Sequence, residues 1–248
     1  MTALGVVHLD PLTEQERRVW QEVVALGATL RPEQWMLIGG QMVSLYGAWA
    51  GRERKRVTED IDVLANMELL TAHLQACTGA LTSRGYASVP DSHGLVYRFH
   101  KRDAEASSVQ IDLLVPDRIL SKSARFGGPM MKIDGGTQAL KRAEVVRLRV
   151  TDEPEAEISV PNLLGATVLK AAAWAADSRD PDRHAQDAAF LISLIDDIEP
   201  CRAQFTGSDR KRLRKLDHVL GDVAAEPWLL LEPADRELGF DNWRRLVD

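Results

Sequence analysis

The sequence lacks several features that would place it in a specialised class of protein. Only two cysteines, Cys77 and Cys201, occur among its 248 residues, so a disulfide framework is excluded and a reducing compartment is the simplest inference. The first residues do not combine a basic start with an apolar run, which argues against a secretory signal. No stretch approaches the length of a membrane span. We therefore expect a cytoplasmic protein without a membrane partner.

The chain also lacks an excess of positive charge. It carries 31 Lys and Arg against 37 Asp and Glu, which gives a formal net charge of −6. The molecule as a whole therefore does not resemble a nucleic-acid-binding protein, and attraction to polyanions must come from local clusters. Two basic clusters lie at 52–56 and 210–215. The first could bind a triphosphate or RNA or be a solvated loop, whereas a solvated helix face is the favoured interpretation of the second.

What the sequence does contain is typical of a globular α/β protein. Apolar residues make up 45% and charged residues 27% of the chain, which suffices for a hydrophobic core. Thr13 and Glu16 have the spacing of a capping box and predict a helix that starts there. A buried strand is predicted at 35–38 and a helix over 41–49, followed by a strand at 60–64 and a helix over 67–84. Two further strands, at 96–99 and 109–115, predict a hairpin around a polar loop.

The character of the chain changes near Glu157. The segment 145–150 alternates apolar and basic residues like a half-exposed strand, and the acidic stretch 152–157 resembles a connector. Asn162 then has the position of an N-cap for an Ala-rich helix, and more helices are predicted over 182–195 and 208–220. We therefore predict an α/β (α+β) fold with a small mixed sheet flanked by helices over residues 1–157, and a helical domain over 158–248.

Two aspartates in the predicted strand at 60–64 are the first candidates for a functional site. Asp60 and Asp62 are separated by one residue, so in a strand both carboxylates project from the same face. Like charges placed side by side destabilise the fold unless something neutralises them. A divalent cation that prefers oxygen ligands, typically Mg²⁺ where phosphates are present, is one solution. A pair of solvated acids at a strand end is the alternative.

A third carboxylate, Asp112, lies within the apolar strand predicted at 109–115. An unpaired carboxylate that faces a core is unfavourable, so Asp112 must lie on a polar face with Gln110 or serve a specific purpose. The second possibility is a metal-site carboxylate on a strand beside the one that carries Asp60. Two-metal nucleotidyl transfer uses such an arrangement.

Gly39 and Gly40 mark the point where the buried strand at 35–38 ends and a helix follows. Glycines at this position let backbone N–H groups approach phosphate oxygens, although an ordinary tight turn has the same composition. Neither the G-x-x-x-x-G-K-[ST] nor the G-x-G-x-x-G phosphate-binding pattern is present.

The order of these parts resembles the nucleotidyltransferase superfamily of DNA polymerase beta, whose pattern is hG[GS], a helix, [DE]h[DE]h and a later h[DE]h. The corresponding segments here are Ile38-Gly39-Gly40, Asp60-Ile61-Asp62-Val63 and Ile111-Asp112-Leu113. The resemblance implies two Mg²⁺ ions held by Asp60, Asp62 and Asp112, with Asp112 also orienting or deprotonating the acceptor hydroxyl. It implies that Gly39 and Gly40 hold the β- and γ-phosphates of an NTP.

A narrower resemblance is to the AbiEii/AbiGii toxin family, whose R-x-T-x-D-[IL]-D segment is similar to the run from Arg56 to Asp62. In that family a Lys, an Arg and an Asp follow on helices, and Lys170, Arg179 and Asp187 fit this outline. The resemblance implies that Thr58, Lys170 and Arg179 contact the nucleotide, and Asp187 could orient one of those cations. Packing roles remain open for Thr58 and Lys170. The chain departs from the family in a longer segment between Gly40 and Asp60 and in having Arg183-His184 before Asp187.

Function follows from the resemblance as an expectation. The chain is expected to transfer an NMP from NTP to a hydroxyl of RNA, of a protein side chain or of a small molecule. In the toxin branch the acceptor would be a tRNA 3′ end and the partner a cognate antitoxin. The alternatives are a catalytically inactive relative that binds nucleotide, nucleic acid or protein, and an α/β protein whose acids are incidental.

Overall fold

A computed structural model describes residues 4–10, 12–52, 58–67, 72–101, 109–119 and 126–248. The chain divides into two compact units, Thr2–Val160 and Pro161–Asp248. The sequence places the boundary near Glu157, and the division falls between Val160 and Pro161. No helix in the described part of the chain has the length and apolar character that crossing a bilayer requires.

The first unit contains two sheets. The smaller has the strand order β1 (Val6–Leu9), β8 (Ala143–Val150) and β9 (Ala156–Pro161), with β1 parallel to β8. The larger has the order β2 (Trp35–Ile38), β3 (Asp60–Ala65), β6 (Gln110–Pro116), β5 (Arg98–Lys101) and β4 (Tyr86–Ser88), with β7 (Lys132–Ile133) beside β6. Strand β3 is antiparallel to β2 and parallel to β6, and β5 is antiparallel to β6 and β4. The larger sheet is therefore mixed, as predicted.

Helices flank these sheets. They are α1 (Glu14–Thr29), α2 (Gly39–Ala50), α3 (Ala72–Ser83) and α4 (Gly136–Leu140), with a 3-10 turn at Pro32–Gln34. The predicted capping box starts α1, because the Thr13 side chain accepts from the Glu16 N–H and the Glu16 side chain accepts from the Thr13 N–H. The apolar face of α1 includes Val19, Val23 and Leu26, which are all buried. Amphipathic spacing thus explains why this helix forms and which face it buries.

After β9, all the regular secondary structure of the second unit is helical. This confirms the predicted change from mixed α/β structure to helices. Its helices are α5 (Leu163–Ala176), α6 (Asp182–Ser193), α7 (Glu199–Ala203), α8 (Asp209–Leu220), α9 (Glu226–Leu229) and α10 (Pro233–Val247). The Asn162 side chain caps α5 by accepting from the Gly165 N–H at 2.9 Å. Small residues of α5 and α6 pack with Trp228 and Trp243 in one apolar core.

Several details differ from the sequence prediction. Strand β9 begins at Ala156, inside the stretch predicted to be a connector, and β1 has no counterpart in the prediction. Helix α2 begins at Gly39 rather than at residue 41, so the two glycines form its first turn. Helix α3 is described from Ala72 onward, and residues 68–71 of the predicted helix lie outside the described part, so its predicted start stays a prediction. The hairpin strands β5 and β6 pair as predicted, while their connection at 102–108 also lies outside it.

Candidate active site

The register of β3 against β6 brings the predicted acidic residues to one face of the larger sheet. Asp62 and Asp112 are direct partners across the two parallel strands, and Asp60 is the partner of Gln110. Because side chains alternate along a strand, Asp60, Asp62, Gln110 and Asp112 project from the same face. Ile61 and Ile111 occupy the opposite face and are fully buried. This apolar anchoring fixes which face carries the carboxylates, because a one-residue slip would exchange the two sets.

Gly39 lies directly against the carboxylate of Asp62. Its backbone is left-handed, with φ +70°, and a β-carbon at this position would lie 2.6 Å from Cγ of Asp62. No L side chain fits there without moving Asp62, because real β-carbons do not approach other atoms so closely. The first turn of α2 therefore meets the face of β3 that bears Asp62, where backbone N–H groups at a helix start favour negative charge.

Gly40 packs against Thr58, the residue that leads into β3. A β-carbon on Gly40 would lie 2.6 Å from Cγ2 of Thr58. Gln41, which is 4% exposed, donates from Nε2 to the Thr58 carbonyl oxygen at 2.7 Å. The first turn of α2 thus holds the chain just before Asp60. This contact gives Thr58 a structural role, and its predicted contact with nucleotide stays a prediction.

Arg98 on β5 binds both carboxylate oxygens of Asp112. Its Nε donates to Oδ1 at 3.1 Å and one terminal nitrogen donates to Oδ2 at 3.0 Å. The two residues are partners in the antiparallel β5–β6 register, which explains the close approach. Gln110 Nε2 also donates to Oδ1 of Asp112 at 3.1 Å. Hydrogen bonding to Asp112, followed by attraction to Asp112 and to the more distant Asp60, raises the pKa of Arg98.

The donor set on this face suits a hard cation in its chemistry. The carboxylates of Asp60, Asp62 and Asp112 supply only oxygen ligands, which Mg²⁺ prefers, and Gly39 keeps a side chain out of the space beside Asp62. As the side chains stand, however, no group of three His, Cys, Asp or Glu residues within the described ranges is arranged to hold a metal ion. Arg98 engages both oxygens of Asp112 instead. The assignment of these residues to a metal site therefore stays a prediction.

The helical unit contains the other predicted residues. Lys170 on α5 and Asp187 on α6 form an ion pair with Nζ and Oδ2 separated by 2.7 Å, and their side chains are only 6% and 5% exposed. Asp187 is thus placed to orient Lys170, one of the two arrangements considered from the sequence. Arg179 is exposed in the loop that follows α5. The contact of Lys170 and Arg179 with nucleotide stays a prediction.

Asp177 contacts both Arg183 and His184, the two residues at which the chain departs from the family pattern before Asp187. Its Oδ1 accepts from the backbone N–H of Arg179 at 2.9 Å, and its Oδ2 accepts from an Arg183 terminal nitrogen at 2.7 Å. Nε2 of His184 lies 3.2 Å from the same Oδ2. These bonds, that from the Arg179 N–H above all, lower the pKa of Asp177. Burial, together with the positive charges of Lys170 and Arg183, lowers the pKa of His184 to about 4, so the imidazole is neutral near pH 7.

Of the two basic clusters, the first lies mostly outside the described residues, which omit 53–57. The second lies on α8, where Arg210, Lys211, Arg214 and Lys215 are exposed, in agreement with a solvated helix face. The acidic residues of this helix turn inward instead. Asp209 is fully buried, and Asp217 accepts from Nε1 of Trp243 at 2.8 Å.

Two residues at the candidate site are not identifiable as site residues by the motifs in the sequence. Arg98 is predicted to lie in a strand, but its pairing with Asp112 depends on the β5–β6 register, which the loop at 102–108 does not specify. Gln41 is predicted only to lie in a helix. Its polar character directly after Gly39-Gly40 is the one sequence signal that could have placed it at the site.

Comparison with known proteins adds little to this geometry. No protein-family model matches the chain, and no curated protein matches it. Among solved structures, the fold is similar to an antigenic nucleotidyltransferase-like protein from Paracoccidioides brasiliensis, with a TM-score of 0.48 and 13% sequence identity over 84% of this chain and 90% of that one. A likeness of this degree carries no inference about activity.

Proposed function

We propose that the chain is a Mg²⁺-dependent nucleotidyltransferase that moves an NMP from NTP to a hydroxyl acceptor. One observation carries the proposal: Asp62 is the direct partner of Asp112 across β3 and β6, while Gly39 packs against the same Asp62. A glycine-rich helix start, a D-x-D strand and a third acid are thus adjacent. A helix start that can bind phosphate thus lies beside carboxylates that can hold metal ions, which is the combination that metal-assisted nucleotidyl transfer uses.

Each residue has a defined role in this reaction. Asp60, Asp62 and Asp112 would hold two Mg²⁺ ions, which when bound neutralise phosphate charge and favour an ionised hydroxyl. The N–H groups at Gly39 and Gly40 would donate to the β- and γ-phosphates. Asp112 would accept the proton of the acceptor hydroxyl while that oxygen bonds to the α-phosphorus. The bond from the α-phosphorus to the bridging oxygen then breaks, and pyrophosphate leaves with that oxygen and its electron pair.

Lys170 is proposed as a contact for the triphosphate or the base. Its ion pair with Asp187 fixes the position of the ammonium group on α5. Arg179, in the exposed loop after α5, would contribute a second positive charge. Trp174, on the same helix as Lys170, packs against the apolar core of the helical unit, which gives it a structural role.

The acceptor and the biological role are the most specific parts of the proposal. We favour an RNA 3′ end, with a protein side chain or a small molecule as the other acceptors. A toxin that is paired with a cognate antitoxin is the corresponding biological role. It predicts growth arrest on expression of the intact chain and normal growth with Asp62→Ala, and it fails if the intact chain is harmless.

A second candidate function is a nucleotidyltransferase-fold protein that binds nucleotide, nucleic acid or a protein partner without catalysis. The specific observation in its favour is the Arg98–Asp112 pair, because Arg98 neutralises one of the three acids without a metal ion. In this function NTP would bind without release of pyrophosphate. The two candidates therefore differ in a single measurable product.

The test is incubation of the purified chain with each labelled NTP, Mg²⁺ and total RNA or cell extract. We expect one class of molecule to become labelled and pyrophosphate to accumulate. The isosteric variants Asp60→Asn and Asp62→Asn should reduce labelling by at least about 100-fold, in line with the loss of an essential charged group. The matched control is Asp152→Asn, which neutralises a carboxylate that is 87% exposed near the end of β8.

Labelling that persists in both site variants would contradict the proposal. NTP binding without labelling or pyrophosphate release, for every NTP and acceptor, would favour the non-catalytic candidate. Retention of the fold in each variant is checked by urea unfolding, because a loss of activity in an unfolded variant says nothing about catalysis.

A further inference from the structure

The ion pair between Arg98 and Asp112 has features that a surface ion pair lacks. The side chain of Asp112 is 12% exposed, and Arg98 meets it with two parallel N–H···O bonds. This bidentate geometry is the strong form of a carboxylate–guanidinium contact. Gln110 adds a third donor to the same carboxylate at 3.1 Å. The carboxylate of Asp112 thus accepts hydrogen bonds from three N–H donors, two from Arg98 and one from Gln110.

The position of this contact is set by the sheet and not by a flexible loop. Arg98 lies opposite Asp112 on β5, and Asp62 lies opposite Asp112 on β3. The carboxylate of Asp112 therefore lies between a fixed cation on one side and a fixed acid on the other. Two carboxylates on adjacent strands repel each other, and a positive charge on this face relieves the repulsion.

We propose that Arg98 is an electrostatic placeholder for the metal cation, which must exchange with Arg98 at Asp112 before the three acids can share an ion. This inference rests on the proposed function of the same site, and Arg98 is a positioning residue within it. The exchange keeps a positively charged partner at Asp112, because the metal ion takes the place of the guanidinium. It also makes cation binding weaker than the same acids would allow without Arg98.

The 44% exposure of the Arg98 side chain makes the exchange physically reasonable. Its guanidinium is 5.4 Å from the centroid of the Tyr97 ring, which offers a second favourable contact when Asp112 is released. The carboxylate cannot remain buried without a partner, so release of Arg98 and arrival of a cation are coupled events.

The experiment measures Mn²⁺ binding to the intact protein without NTP, by the loss of the electron paramagnetic resonance signal of free Mn²⁺. The main variant is Arg98→Gln. A second variant, Arg98→Lys, keeps the positive charge but cannot form two parallel hydrogen bonds to the carboxylate. The matched control is Arg149→Gln, which removes an arginine that is 2.8 Å from Glu155 in the smaller sheet. We expect Arg98→Gln to bind Mn²⁺ at least about tenfold more tightly than the wild type, Arg98→Lys to lie between them, and Arg149→Gln to match the wild type.

A second readout separates this role from simple support of the fold. In EDTA the Tm of Arg98→Gln should fall below that of the wild type, and saturating Mg²⁺ should raise the Tm of the variant more than that of the wild type. Equal Mn²⁺ affinity in wild type and Arg98→Gln, or weaker affinity in the variant, overturns the placeholder role and leaves the transferase proposal intact. Absence of Mn²⁺ binding by the wild type and by all the variants at millimolar concentration also overturns the placeholder role, whereas the transferase proposal is decided by the labelling experiment with NTP present.

Discussion

The carboxylate of Asp62 occupies the space that a side chain on Gly39 would need. The left-handed backbone of Gly39 and its close approach to Asp62 coincide at one residue. A substitution there would therefore strain the backbone and also displace a predicted catalytic group. These two effects can be separated because another glycine in the chain has only the first.

Gly39→Ala should abolish most of the transferase activity, because a β-carbon would displace Asp62. The left-handed backbone also costs an alanine about 1–2 kcal/mol of folding free energy. Gly85→Ala is the matched control, since Gly85 has φ +85° and no atom within 4 Å of the position that a β-carbon would take. Both variants should lose stability in urea unfolding, Gly39→Ala more than Gly85→Ala because its β-carbon also displaces Asp62, and only Gly39→Ala should lose activity by at least about 100-fold. Equal activity of the two variants would show that the position of Asp62 does not matter.

Thr58→Val tests whether Thr58 contacts nucleotide or only packs against Gly40. The substitution keeps the branched shape beside Gly40 and leaves the backbone carbonyl that Gln41 binds. If the hydroxyl contacts nucleotide, KM for NTP should rise by about 5- to 10-fold, which corresponds to one hydrogen bond. Steady-state kinetics measures KM, and urea unfolding is the check on packing. An unchanged KM would restrict Thr58 to its structural contact.

The Lys170–Asp187 pair gives a prediction about stability. Lys170→Met leaves a buried carboxylate without its ammonium partner, and Asp187→Leu leaves the reverse, so each should destabilise the protein by about 3–5 kcal/mol. The double variant should recover most of this loss, because two apolar side chains replace two buried charges. Urea unfolding of the four proteins completes a double-mutant cycle. Additive losses would show that the two residues do not depend on each other.

His184 gives a prediction about pH. Its pKa is lowered from 6.5 to about 4 in the folded protein, so the unfolded chain takes up a proton at a higher pH than the folded one. The associated stability is complete above pH 6.5 and is lost as the pH falls towards 4. Between pH 7 and pH 5 the loss from this group should be about 2 kcal/mol at most. His184→Gln should remove that part of the acid sensitivity, whereas His218→Gln, at an exposed position on α8, should leave it unchanged.

The measurement is the free energy of urea unfolding at both pH values for the wild type and the two variants. The difference between pH 7 and pH 5 is the quantity to compare, because acidic groups that are distant from both histidines contribute equally in all three proteins. A His184→Gln variant with the same pH dependence as the wild type would contradict the assignment.

Short-range sequence patterns predicted those parts of the fold that depend on residues close together in the sequence. The capping box at Thr13, the N-cap at Asn162 and the alternation along β3 and β6 each reflect a contact within a few residues. The structure also places Asp60, Asp62 and Asp112 on one face, which alternation alone could suggest but not guarantee. Local sequence was therefore enough to predict strands whose aspartates share a face, while the role of these aspartates as site residues stays a prediction.

Register and long-range pairing could not be predicted in the same way. Strand β1 is held by β8, more than 130 residues away, and the four residues Val6–Leu9 carry no local signal strong enough to compete with the longer elements. Arg98 likewise meets Asp112 only because β5 and β6 pair in one particular register. Both features arise from tertiary hydrogen bonding, so pattern within a short window does not determine them.

Strand β3 is bordered by β2 on one side and β6 on the other, so both of its edges are hydrogen-bonded. Backbone amides in such a strand open to solvent only when a large part of the sheet separates. In a deuterium-exchange experiment the amides of Ile61, Val63 and Leu64 should thus be among the last of the first unit to exchange. Evolutionary variation of substrate preference is then expected to alter the surrounding loops and helix ends, while the platform that carries the acids stays rigid.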